Sequence, residues 1–306
     1  MGVSTFSWRH KSILAGLCLA GLYALEQQWP LLGLGLFVIF SLTLGMGHGA
    51  LDMVLLLGQF KPRSRAMVFG AIYLALTLVA GWLLSLSFAW ALVVLLVMSV
   101  WHFGEAYAER LLLRLTVGGA SLMAPLLLQK TALSQLLQGL ANQDLPWLLN
   151  VWSTLAWAWA GLVGLVLLLS VAHGFGRVVR DLGAARSPAR ALLEIGMVAG
   201  LSLVFSPLLQ FALYFGLYHC TTHIARVRRA ALHHPGLPLE QLAWAWVASM
   251  LLTAILLAVL WNELPGAGTW TEPVDAHLVH WLVVALGAVT VPHLILVGYS
   301  SRWLGR

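Results

Sequence analysis

Charge is what this sequence has least of. Asp, Glu, Lys and Arg make up 9% of its 306 residues, where a soluble domain carries about 25%. So few charged groups do not cover a water-facing surface. With 60% hydrophobic residues and a mean hydropathy of +0.88, the chain reads as embedded in membrane along nearly its whole length. Cysteine is almost missing too: Cys18 and Cys220 alone exclude a disulfide scaffold and any Cys-rich zinc or iron–sulfur site. No phosphate loop, nucleotide motif or serine-nucleophile elbow is present. No internal repeat, linker or low-complexity segment divides residues 1–306, which are taken as a single integral membrane domain. The formal charge of +6 invites a nucleic-acid reading. In a membrane protein, however, basic residues mark cytoplasmic loops, and no nucleic-acid partner is expected.

About 20 apolar residues cross a bilayer as a helix. Ten segments qualify: 12–26, 31–57, 66–87, 88–104, 111–129, 146–172, 190–205, 207–226, 239–261 and 275–300. The expected fold is therefore all-α, a polytopic integral membrane protein with about ten transmembrane helices. The N-terminal stretch, with Arg9 and Lys11 before the run Ile13 to Leu25, has no clear cleavage site and is read as an uncleaved first span. Placing both termini in the cytoplasm assigns 16 of the 17 basic residues to cytoplasmic segments, with only Lys130 outside. Glu263, Glu272 and Asp275 then share one external loop. This sorting supports the span number and the orientation together, and the expected location is the cell (inner) membrane, multi-pass.

There are 11 histidines. His10, His233 and His234 fall in loops or tails, and His173, His277 and His280 at span ends, where solvation or the interface accounts for them. The other five, His48, His102, His219, His223 and His293, lie within four different spans. At 1.5 Å per residue they share the cytoplasmic half of the membrane within about 12 Å of depth. Intramembrane ionisable groups are costly and are functional candidates. Taken singly, each is equally well a neutral histidine bonded to a neighbouring helix; a common depth favours one site.

Local sequence sharpens this. His219 and His223 are an i, i+4 pair leaving one helix face, a spacing that suits two ligands on one metal. Phe215 extends that face and Thr222 flanks it. His48 is bracketed by Gly45, Gly47 and Gly49, which let another backbone or a bulky group approach it. Asp52, four residues on, is placed to accept from its ring. Glu105 is similarly placed for His102 or is an interfacial charge. Pro292 puts a helix perturbation beside His293. An all-imidazole ligand set suits iron, zinc, copper or nickel. A redox iron with a vacant position fits best, and a single HxxxH argues for one ion. The 15 tryptophans and 11 phenylalanines serve mostly packing and interfacial belts, and some line a pocket for a long conjugated lipid. Oxygen also partitions into membranes, which makes lipid oxygenation a coherent reading. A metal or proton transporter is a rival, disfavoured by the scarcity of ionisable groups in the external half. A non-catalytic binder of such a lipid needs the pocket but not the iron.

The segments Gly47-His48-Gly49-Ala50-Leu51-Asp52, Trp101-His102-Phe103-Gly104-Glu105, Tyr214 through His223, and Pro292-His293 resemble, in order, the motifs of the Brp/Blh family. These are bacterial and archaeal membrane β-carotene 15,15′-dioxygenases that supply retinal to rhodopsins. The resemblance covers spans two to ten. It implies Fe(2+) held by His48, His102, His219 and His223 as metal ligands and catalytic residues. It further implies O2 cleavage of β-carotene, or a related carotenoid, to two retinals amid membrane lipids, with hand-over of retinal to a rhodopsin; the alternative is a non-catalytic carotenoid or retinal binder, or a rhodopsin-assembly partner. Asp52, Glu105, His293, Phe215, Thr222 and Trp101 are expected around the ligands or along the pocket. Two positions depart from the family pattern: Cys220 stands where serine is frequent, and Glu105 where aspartate is also accepted.

Overall fold

A computed structural model of the chain describes residues 8–29, 31–45, 47–49, 51, 63–107, 109–141, 146–172, 187–233, 243–244, 246–247, 250–251 and 272–304. Among them there is no strand. The helices are α1 (Trp8–Gln28), α2 (Leu32–Phe40), α3 (Arg63–Leu86), α4 (Phe88–Phe103), α5 (Leu111–Leu128), α6 (Lys130–Ala141), α7 (Pro146–Ala172), α8 (Pro188–Val204), α9 (Pro207–Ala212), α10 (Thr221–His233) and α11 (Glu272–Leu304). Two wide-turned π segments interrupt this pattern. Ser41–Gly45 follows α2 directly, and Leu213–Cys220 joins α9 to α10.

Among the described residues, five helices are long and apolar enough to cross a membrane: Leu32–Gly49, Met67–Leu86, Leu111–Leu128, Pro146–Ala172 and His280–Gly298. Of the ten segments expected from hydropathy, 239–261 lies largely outside the described residues, as does the end of 31–57; the others overlap described helices, 207–226 being divided among α9, the second π segment and α10. Helix α6 was not expected. Its apolar residues are spaced along one face, with polar groups such as Lys130, Ser134 and Gln138 between them, so no hydropathy window finds it. It folds back against α5 and α11.

Short breaks between helices follow local chemistry. Ser87 is extended (φ −154°, ψ 111°), which turns α3 into α4 with no loop. Ser187 caps α8 by accepting from the Arg190 amide at 3.2 Å, with Pro188 in the first turn. Ser206 and Pro207 open α9 the same way. The Ser206 amide in turn donates to the carboxylate of Glu26 on α1 at 3.2 Å. Pro292 lies inside α11, which continues through it.

Helix α5 is the centre of the molecule and packs against α4, α7 and α8. Lipid provides no hydrophobic drive between helices, so close backbone approach does this work. A Cβ at Gly118 would strike the Val100 carbonyl oxygen, and one at Gly104 the Arg114 carbonyl oxygen. Only glycine permits that contact of α4 with α5. Beside it, the Trp159 indole of α7 lies over Gly119 and donates to the Thr116 carbonyl at 2.8 Å. This bonds a polar N–H that would otherwise be left without a partner in hydrocarbon.

Candidate metal centre

The Gly118 contact fixes the end of α4, and the last turn of α4 carries His102. The π segment after α9 carries His219, and the first turn of α10 carries His223. His48 lies in the short helical stretch after the first π segment, and His293 lies on α11. All five rings are buried, none more than 9% exposed. They converge. Ring centroids of His48 lie 5.9 Å from His219, 5.4 Å from His223 and 5.0 Å from His293. His102 is 4.7 Å from both His219 and His293.

The closest approach is nitrogen to nitrogen: His102 Nε2 and His219 Nε2 are 3.0 Å apart. One ligand atom each from His48, His102 and His219 fits within a mutual spacing of 4.8 Å. A metal–imidazole bond of about 2.1 Å puts two ligands at right angles about 3.0 Å apart. The donor set therefore fits a single ion. Among the described residues, His223 Nε2 has no hydrogen-bond partner, and its ring sits 5.5 Å from that of His293.

Surrounding groups hold these rings. Phe215 stacks on His219 (6.1 Å between centroids, 11° between planes) and meets His48 edge-on at 6.0 Å. Gly45 makes room for it, since a Cβ there would lie 2.8 Å from Phe215 Cε1. Gly47 makes room for the Trp246 indole in the same way. The bulky groups that approach His48 across its glycines are thus aromatic side chains. Cys220 Sγ is 3.5 Å from His48 Nδ1. Glu105 Oε2 is 4.0 Å from His102 Nδ1, and its other oxygen is 3.9 Å from Arg226 Nη1.

An apolar cavity opens from the histidines. His48, His102, His293 and Phe215 line one part of it, with Leu133, Leu136 and Leu137 of α6, and Trp152 of α7, elsewhere along the wall. Two expected residues lie apart from this wall. Trp101 is 47% exposed, with the Arg114 guanidinium 3.5 Å over its ring and Arg114 Nε donating to its carbonyl at 3.1 Å. Thr222 is half-buried and donates to the His219 carbonyl at 2.9 Å. Asp52 lies outside the described residues. Sequence reasoning missed Arg226, although it stands seven residues after His219 and so on the same helical face.

Fold and site together define an all-helical membrane protein with a buried multi-histidine centre at the wall of an apolar cavity. The chain belongs to the family described as beta-carotene 15,15′-dioxygenase, whose profile matches residues 39–300. No curated protein and no solved structure is significantly similar to it.

Proposed function

We propose that the protein cleaves the central 15,15′ double bond of β-carotene with O2 at a histidine-bound Fe(2+). The products are two retinals, so that C40H56 and O2 become two C20H28O. The observation that carries this reading is the 3.0 Å Nε2–Nε2 approach of His102 and His219 beside a hydrocarbon-lined cavity, in a chain of this family. His48, His102, His219 and His223 are the ligands. Iron held there supplies the redox chemistry that lets O2 add across the double bond.

The chain's own work is positioning and exclusion. Glu105 faces His102 Nδ1 across 4.0 Å and acts on that ring through its charge, with Arg226 facing Glu105 at 3.9 Å on the other side. Phe215 sets the plane of His219 and excludes water from between the rings. His293 forms the cavity wall beside the ligands. The cavity takes one arm of the polyene and thereby registers which double bond faces the histidines. Ten spans with both termini cytoplasmic, residence in the inner membrane and release of retinal to a rhodopsin complete the reading.

The test is chromatography of cells that accumulate β-carotene, with and without the protein. Loss of carotene with appearance of retinal supports the proposal. No retinal from iron-loaded protein rejects β-carotene as substrate, and pure but iron-free protein rejects the enzyme in favour of a binder.

A further inference from the structure

The cavity wall is hydrocarbon except at a few points, and two of those have no partner. Gln210, on α9, is 0% exposed, and neither its amide oxygen nor its amide nitrogen has a hydrogen-bond partner among the described residues. Ser121, on α5, is 2% exposed, and its hydroxyl is likewise without one. Both residues line the cavity, among Leu96, Leu122 and Phe211. Burying an amide without a partner is costly in an apolar setting, and native structures rarely leave one so. A pocket meant only for a pure hydrocarbon has no use for such a group. Leucine would fit there at no such cost.

The position of Gln210 indicates what it meets. It precedes His219 by nine residues, about 12 Å along the helix once the shorter rise of the π segment is allowed for. A polyene arm runs nine bonds from its central carbon C15 to ring carbon C6. At about 1.2 Å of advance per bond of extended chain, that is about 11 Å. With the central bond at the histidines and the polyene lying along the rod from His219 back to α9, the terminal ring would reach the depth of Gln210, with C3 and C4 of that ring just beyond.

We infer that the cavity is a recognition site for an oxygenated terminal ring, with the Gln210 amide bonded to a ring hydroxyl or keto oxygen and the Ser121 hydroxyl assisting from α5. This deepens the carotenoid reading and rests on it. A primary amide serves either oxygen: its carbonyl accepts from a hydroxyl, and its N–H donates to a ketone.

The test is equilibrium binding to the purified full-length protein in lipid nanodiscs, read by quenching of tryptophan fluorescence, Trp152 being in the cavity wall. The probes are β-carotene, its 3-hydroxy derivative and its 4-keto derivative. Wild type is expected to bind at least one oxygenated probe about tenfold more tightly than β-carotene, which corresponds to about 1.4 kcal/mol. Gln210→Leu brings the probes to within twofold of one another. Gln210→Met, of similar length but with no N–H and only a weakly accepting sulfur, loses the preference for either oxygenated probe. Equal affinities in wild type, or a preference that survives Gln210→Leu, overturn the inference. If Gln210→Leu does not fold, Gln210→Met decides: an undiminished preference for an oxygenated probe overturns the inference. Failure of the underlying reading is distinguishable. A protein that binds oxygenated probes through Gln210 but cleaves none of the three keeps this site and loses the dioxygenase.

Discussion

Adding one methyl group at Gly45 perturbs the proposed iron site without touching a histidine. An alanine Cβ there would lie 2.8 Å from Phe215 Cε1 and 3.1 Å from Cζ, where ordinary contact begins at 3.4 Å. The ring must retreat by about 0.6 Å, and it cannot do so alone, because it is stacked on His219 and edge-on to His48. That displacement exceeds the ~0.5 Å tolerance within which a site must be held. Overpacking costs about 1–3 kcal/mol, and the gain in helix propensity returns up to about 1 kcal/mol, so the net loss of stability is about 0–2 kcal/mol. Gly35→Ala in α2 is the control. Its Cβ meets nothing within 4 Å among the described residues, so it gains the propensity alone. The assay is iron content after dialysis against a chelator, with the thermal midpoint measured on the same samples. Gly45→Ala is expected to retain iron about tenfold less well than Gly35→Ala and to melt lower. Equal iron retention in the two variants would refute the idea that Phe215 sets the ligand geometry.

His219→Ala and His223→Ala should each abolish iron loading and retinal formation together; turnover in either variant removes that residue from the ligand set. Glu105→Gln should weaken iron binding by ~10–100-fold, and Arg226→Met by a smaller factor in the same direction, both read by chelator competition. An Arg226→Met effect equal to or larger than that of Glu105→Gln would mean that Arg226 acts on the histidines by another route. Reporter fusions at both termini should read cytoplasmic, and an external C-terminus would reject the ten-span arrangement.

The helices were legible because a span announces itself by composition alone. Seven expected segments meet single described helices within a few residues; 31–57 runs beyond the described residues, and 207–226 is divided among α9, a π segment and the start of α10. Helix α6 was not legible, since a helix lying against its neighbours needs only one apolar face, and Leu133, Leu136 and Leu137 were lost among polar residues. The histidine depth was legible for the same reason that the spans were. The juxtaposition of His102 with His219 was not, because it depends on how α4 packs against α5 at Gly118, and a single glycine does not name its partner. The i, i+4 relation of His219 and His223 was read on a uniform α-helix. In the structure, the first belongs to a π segment and the second to α10, a change of winding that no side-chain pattern marks. Gln210 passed unnoticed because one amide in an apolar run is ordinary until its surroundings are known.

Glu26 ties helix α1 to the element that carries two of the proposed ligands. Helix α1 lies before the family match, which begins at residue 39, and much of its surface faces outward. Yet its carboxylate grips the amide of Ser206 at the start of α9, and α9 runs without a break through the π segment to His219 and His223. The rod that carries two proposed ligands is thus pinned at its far end by a helix that precedes the matched range. Trimming that helix would leave all five clustered histidines in the sequence and still let the rod slide along its axis.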